Sequence, residues 1–245
     1  MSFWDVYNLG FFNKFFFEKV EDGFQLYNDK TTYVIFTFVA IALISYLIGS
    51  VNFSILISKF YGADVRDGGS GNAGATNMTR QFGKKAGIFT FLGDFFKALL
   101  CTVLGIMLFG TMGGMLAGFF CIVGHAFPVY FKFRGGKGVA CVAAVILITS
   151  PLTFLILLLI YAILLFGFKM VSFASIMSVL IYPFLVSRIE YSSLGFQFLI
   201  AMSVAILIVF LHRKNLVRIF NHTESKISFG KKKKNKEQID ENSEK

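Results

Sequence analysis

The sequence predicts an all-α polytopic membrane protein of seven transmembrane helices, with its N-terminus outside and its C-terminus in the cytoplasm. Three observations lead there. The 245 residues are 56% hydrophobic, with a mean hydropathy of +0.68, whereas soluble domains are ~45–50% apolar. The apolar residues run in continuous stretches, not in the alternation of an outer-membrane barrel. The third is the placement of Lys and Arg, which selects one count of spans. Only three prolines occur, so long helices are permitted.

In chain order, residues 1–32 mix Phe with Lys, Glu and Asp and lack the apolar region and cleavage site of a signal peptide. Phe11, Phe12, Phe15 and Phe16 recur at helical spacing, which predicts an amphipathic, interfacial N-terminal extension. Spans follow at about 33–57, 88–110, 112–131, 138–150, 152–168, 171–187 and 196–211. The fourth and fifth lie in one apolar run interrupted by Ser150-Pro151. A single helix over 138–168 would measure ~46 Å at ~1.5 Å per residue, too long for a ~30 Å hydrocarbon core. Two short helices meeting at Pro151 fit better.

The basic residues test this count. Lys59, Arg66, Arg80, Lys84 and Lys85 fall in one link; Lys132, Arg134 and Lys137 fall in another. Lys169 and the lysine-rich tail complete the set, while the links near 111 and 150 carry no Lys or Arg. Seven spans put every strongly basic segment on the cytoplasmic side; six would put the tail outside. The domain is therefore read as 33–229, and 230–245 as a charged, disordered tail. The net charge of +10 serves topology and anionic lipid; nucleic-acid binding is the weaker reading. Cys101, Cys121 and Cys141 sit in apolar runs, as buried thiols do.

Three polar clusters converge on the cytoplasmic side. The first, Gly68 to Arg80, packs Ser70, Asn72, Thr76, Asn77 and Arg80 beside lipid, where a plain connector needs no such density of donors. Arg80 suits bidentate phosphate binding, with Asn72 and Asn77 orienting the anion. The second, His125 to Gly138, contains Gly135-Gly136-Lys137-Gly138 leading into an apolar helix. Free amides, a helix N-terminus and a lysine make an anion site. It lacks the GxxxxGK[ST] pattern of a nucleotide-binding loop. The third holds His212, Asn215, Arg218, Glu224 and Lys226, with His212 and Asn215 three apart on one helix face. Asp94 and Lys97, also three apart, lie inside the second span and can pair, either to support Arg80 or Lys137 or as a purely structural bridge.

These segments carry a resemblance. IGSVNFSILISKFYGADVRDGGSGNAGATNMTRQFGKKAG, GDFFKALL, GHAFPVYFKFRGGKGVA and HRKNLVRIFNHTESKI, in that order over about 40–230, resemble the bacterial membrane acyl-phosphate:glycerol-3-phosphate acyltransferases (PlsY type). The resemblance implies acyl transfer from a fatty acyl phosphate to the sn-1 hydroxyl of glycerol 3-phosphate. The products are lysophosphatidic acid and phosphate, and the step opens phospholipid synthesis. It implies an inner-membrane location with a cytoplasm-facing site, and membrane lipid and an acyl-phosphate-producing enzyme as partners. No cofactor, metal or nucleic acid is expected.

Carried over by position, Ser70, Asn72, Thr76, Asn77 and Arg80 match the first motif. His125, Lys132, Gly135, Gly136, Lys137 and Gly138 match the second, and His212, Asn215, Arg218, Glu224 and Lys226 the third. Ala73 stands at a variable position, Lys214 where the family usually has glutamate, and His222 where it often has glycine.

An acyl phosphate is already activated, so positioning and charge stabilisation are the main requirements. No GxSxG elbow or Cys/His pair argues for an acyl-enzyme, and direct attack is expected. Gly135 to Gly138 and Lys137 would hold the donor phosphate; Arg80, Lys132 or Arg218, with His212 and Asn215, would hold the glycerol phosphate. Ser70, Asn72, His125 and Lys137 form the catalytic set, and the base is either His125 or a substrate phosphate oxygen. Asp94, Lys97, Thr76, Asn77 and Glu224 are supporting. The competing class is a transporter of a phosphorylated metabolite, which would favour a midplane site and internal repeats, neither evident here.

Overall fold

The computed structural model describes residues 17–20, 23–26, 31–189 and 194–227. Phe11, Phe12, Phe15, Phe16 and the tail 230–245 lie outside them, so the expectations for an amphipathic extension and a disordered tail are not addressed. Ahead of Thr31 the described residues form two strands, β1 (Phe17–Val20) and β2 (Gly23–Leu26), paired antiparallel with Phe17 opposite Leu26. Phe and Val suit an extended pleat, and this pair is the one departure from an all-helical chain among the described residues.

The first predicted span is broken. Helix α1 (Thr31–Ser50) stops before Asn52, and α2 (Phe53–Phe60) begins there. Asn52 caps α2: its side-chain oxygen accepts from the Ile55 amide at 3.2 Å, satisfying one of the donors that every helix start exposes.

Helix α3 (Ala75–Ala126) holds 52 residues but is not straight. Gly83 (φ 86°) interrupts it early, and Phe109 (φ −141°) and Gly110 (φ 61°, ψ −159°) interrupt it again. A Cβ on Gly105 would overlap the Gly113 carbonyl oxygen, and one on Gly114 would lie 3.1 Å from the Thr102 carbonyl oxygen. In a straight helix, residues 105 and 113 would be ~12 Å apart. The chain therefore reverses at Phe109-Gly110, and the two limbs run antiparallel, close to the predicted break near 111. The reversal needs glycine at 110, because its backbone conformation is closed to residues with a Cβ. The second limb ends at Ala126 and not at 131, since Pro128 disfavours helix at Phe127.

After a single 3-10 turn at Val129–Phe131 come α4 (Val139–Thr149) and α5 (Pro151–Phe168). They are separated at Ser150-Pro151 as expected, with the proline in the first turn of α5, where its missing N–H costs nothing. Next are α6 (Val171–Ile189), α7 (Leu194–Leu211) and α8 (Arg213–Phe220). The axis bends 61° between α7 and α8.

Among the described residues, four helical stretches are long and apolar enough to cross a membrane, five if α7 and α8 count as one. The outer surface is apolar as well: Phe36, Leu159, Phe166 and Ile206 are each more than 60% exposed. A hydrocarbon solvent removes the cost of that exposure, and the chain is a membrane protein. Inside, α1 and the second limb of α3 touch backbone to backbone through Gly49 and Gly124, the small-residue contact of membrane helices. Cys101, Cys121 and Cys141 are buried in the core.

Candidate functional site

The first loop is shaped by the opening turns of α3. The Asn77 side chain, 1% exposed, accepts from the Ser70 amide at 3.0 Å and donates to the carbonyls of Val65 (2.8 Å) and Gly68 (3.1 Å). One turn on, Gln81 donates to the same two carbonyls. Asn77 therefore holds the loop and has no bonding capacity left to orient an anion, a correction to its expected role. Ser70, Asn72, Thr76 and Arg80 line a cavity of about 190 Å³.

A second clamp was not foreseen. Arg66 pairs with Asp64 (2.6 Å) and donates from Nη1 to the carbonyls of Phe131 and Arg134, both at 3.1 Å. It ties the first loop to the second. The Arg66 guanidinium holds the Asp64 carboxyl below its ordinary range by hydrogen bonding, against the opposing effect of burial.

In the second loop the glycines serve close approach. The amides of Gly135 and Gly136 donate to the carbonyls of Ala126 and His125, each at 3.1 Å. A Cβ on Gly135 would overlap the His125 carbonyl oxygen; one on Gly136 would overlap the Ala73 carbonyl oxygen and His125 Nε2. Neither amide is open to a phosphate, which corrects that expectation. Lys137 and Gly138 do line the cavity, as do Val139 and Ala140 in the first turn of α4. Lys132 is exposed, in a left-handed turn (φ 56°), and is not among the lining residues.

The third cluster forms a network at the start of α8. Asn215 accepts from Lys137 Nζ and donates to Glu224 Oε1 at 2.7 Å. Ser172 donates to that oxygen at 2.7 Å, and Arg218 Nε donates to Glu224 Oε2 at 2.7 Å. Burial pushes the Glu224 carboxyl up, but these three bonds and the Arg218 charge hold it below its usual range. Burial also lowers Lys137 to about 8, with Glu224 opposing the shift and Arg218 and Arg80 adding to it. His212 Nδ1 lies 2.8 Å from the Ile208 carbonyl, which only accepts, so Nδ1 carries the proton.

Lys214 is exposed and away from the cavity lining. His222 adopts φ 57°, the left-handed conformation that ends a helix and that glycine takes freely. A residue with a Cβ carries a cost of strain there. Lys226 is exposed and not among the lining residues.

Asp94 and Lys97 support neither Arg80 nor Lys137. Lys97 Nζ lies 2.8 Å from Asp94 Oδ1, 3.0 Å from His125 Nδ1 and 2.6 Å from the Val51 carbonyl. All three side chains are buried, and the pair engages His125.

Beside the polar cavity lies a second, of about 240 Å³, lined almost wholly by apolar residues including Phe95, Val142, Ile146, Leu157 and Ile208. The two share Phe91, Val139, Tyr161 and Ser175. Tyr161, Ser172 and Ser175, in apolar helices, gave no signal as site residues. The combined site suits an anionic head with a hydrocarbon tail. No group of three or more His, Cys, Asp or Glu placed to hold a metal occurs among the described residues.

Comparison with known proteins gives a consistent result. The family model for glycerol-3-phosphate acyltransferase matches residues 39–222. A glycerol-3-phosphate acyltransferase of Finegoldia magna is 40% identical over 193 residues, covering 77% of this chain and 96% of the relative. Glycerol-3-phosphate acyltransferase 2 of Bacillus cereus is 38% identical over 206 residues, covering 83% and 99%. Two crystal structures of PlsY (YgiH), an integral membrane glycerol 3-phosphate acyltransferase, superpose on 78% of this chain and 96% of theirs. The glycerol 3-phosphate form has a TM-score of 0.74 at 31% identity, and the lysophosphatidic acid form 0.70 at 32%.

Proposed function

This chain belongs to the glycerol-3-phosphate acyltransferase family and is a membrane acyltransferase; from that premise we propose that it moves a fatty acyl group from acyl phosphate to the sn-1 hydroxyl of glycerol 3-phosphate. The observation that carries the reading is the basic cavity that continues into an apolar one.

Lys137, steadied by Asn215, holds the donor phosphate at the first turn of α4, and the acyl chain lies along the apolar cavity. Arg80, Arg218 and Asn215 hold the phosphate of glycerol 3-phosphate, His212 accepts through Nε2 from a hydroxyl of the same molecule, and Ser70 and Asn72 orient the attacking hydroxyl. The hydroxyl oxygen attacks the acyl carbonyl carbon. The carbon–oxygen bond to phosphate breaks, phosphate leaves with the electron pair, and the hydroxyl proton passes to a phosphate oxygen or to His125. Because the anhydride is activated, orientation and charge neutralisation supply the acceleration without an acyl-enzyme.

On this reading α1, the two limbs of α3 and α4 to α7 are the seven crossings, and the N-terminus is outside. The site then faces the cytoplasm, where glycerol 3-phosphate and an acyl-phosphate-producing enzyme have access. The unit spans 33–229, flanked by an interfacial extension and a charged tail.

The test supplies acyl phosphate and labelled glycerol 3-phosphate to the purified protein without metal or coenzyme A. Labelled lysophosphatidate is the expected product. Uptake of label into proteoliposomes without product would replace this reading with transport.

A further inference from the structure

The buried Asp94–Lys97 pair does not touch the proposed phosphate-binding groups, yet it contacts His125 on the ring nitrogen that faces away from Gly136. A lysine ammonium has three N–H donors and no lone pair. At Lys97 the Val51 carbonyl at 2.6 Å and His125 Nδ1 at 3.0 Å stand at hydrogen-bond distance, and Asp94 Oδ1 lies 2.8 Å away as its ion-pair partner. A proton on His125 Nδ1 would set N–H against N–H at that distance. The alternative acceptor for such a proton, Asp94 Oδ1, is farther, at 3.3 Å.

We propose that Lys97 is a positioning residue that fixes His125 as the neutral tautomer protonated on Nε2, so that the imidazole works as a hydrogen-bond donor and not as the base. Which nitrogen of a histidine is protonated follows from the bond that the other nitrogen makes. Nε2 lies over Gly136, where a side chain would cover it, and His125 lines the polar cavity beside Lys137. On the acyl-transfer reading, that N–H serves the donor phosphate and the reacting carbonyl. The pair Asp94–Lys97 is neutral overall, so it sets the tautomer without adding net charge beside two anionic substrates. Asp94 is the ion-pair partner of Lys97, and the Val51 carbonyl, at the break between α1 and α2, takes a further donor. The break at Asn52 thus frees a carbonyl that an unbroken helix would have used internally.

The tautomer stands independently of the substrates; its use as a donor rests on the acyl-transfer reading above. The test is histidine 15N NMR on the full chain in detergent or nanodiscs, with His125 assigned by loss of its signals in His125→Asn. The proposal expects one tautomer, with Nδ1 unprotonated. A proton on Nδ1 overturns it, whatever the enzyme's substrate proves to be. The second arm replaces both charges in Asp94→Leu/Lys97→Met. There both tautomers should appear, and kcat should fall about ten-fold, less than the 10²–10³ of a fully deleted donor, with an unchanged KM for glycerol 3-phosphate. A retained single Nε2–H tautomer, or a change in KM alone, overturns the assignment to Lys97. Wild-type protein with the expected tautomer but no acyl transfer would sink the functional reading and leave the tautomer intact.

Discussion

Lys137 Nζ donates to Asn215 Oδ1, joining the loop before α4 to the first turn of α8 across 78 residues of sequence. The contact brings the second and third polar clusters to one point. Asn215 passes the link on to Glu224, and Glu224 to Arg218, so the cation for one proposed substrate is wired to the cation for the other. Lys137→Met should lower acyl transfer by roughly 10²–10³, the scale of a lost charge-stabilising donor. Kinetics with acyl phosphate as the varied substrate check this; wild-type values would overturn the phosphate-site assignment.

The same lysine predicts opposite pH behaviour for activity and stability. Its pKa falls from 10.5 to about 8 on folding, with burial the main cause. The charged form is lost as pH rises through about 8, so KM for acyl phosphate should climb above that pH. Between about 8 and 10.5 the unfolded chain holds the proton and the folded chain does not, so this group's contribution to stability increases with pH across that window. Below about 8 both states are protonated and the burial penalty is fully present. Lys137→Met should therefore be less active and more resistant to denaturation at neutral pH. Equal or lower resistance would mean that the Asn215 bond outweighs desolvation.

Much of this was legible in the sequence, and the misses have physical reasons. Pro151 located a helix break and the uncharged link near 111 a chain reversal, because a proline at a helix start and a loop without cations leave direct traces. The break at Asn52 left none: a single amide within an apolar run acts as a cap only once its neighbours are placed. Cluster membership gathered Ser70, Arg80, Lys137, His212, Asn215 and Arg218 around one cavity. Sequence spacing could not assign the direction of each bond. Gly135 and Gly136 looked like free donors, but their amides close onto the end of α3. Lys97 looked like a partner for Arg80, but the reversal at Gly110 brings His125 back beside it.

That reversal supports its own prediction. Gly110 has φ 61° and ψ −159°, a region open to glycine, so Gly110→Ala carries a strain of about 1–3 kcal/mol. The turn is not part of the polar cavity lining. The variant should lose thermal stability while the remaining folded enzyme keeps its KM values. Altered KM with unchanged stability would show that the turn communicates with the site.

Asn77 should behave differently from the other lining residues beside it. Removing its amide in Asn77→Ala strands the Ser70 amide, while Gln81 still serves the Val65 and Gly68 carbonyls. An unsatisfied buried group costs about 1–3 kcal/mol, and the partial replacement by Gln81 places the expected loss at the lower end. Asn77→Ala/Gln81→Ala should exceed the sum of the single changes, because each amide covers for the other. Chemical denaturation of the four proteins measures the coupling; strict additivity would mean that the two side chains hold the loop independently.

Arg66 gives the sharpest separation of geometry from charge. It binds no proposed substrate group, since its donors go to Asp64 and to the carbonyls of Phe131 and Arg134. Arg66→Lys keeps the cation beside Asp64, but a single ammonium replaces the planar fork that spans a carboxylate and two carbonyls. The two loops would then be free to separate by a fraction of an ångström, and misplacement near 1 Å costs about 10²-fold in catalysis. The expected result is a fall in kcat/KM of roughly ten-fold for both substrates, with the same pH profile as wild type because no titrating group of the cavity has changed. An effect confined to one substrate would instead place Arg66 in contact with that substrate's phosphate and would remove the clamp as its role.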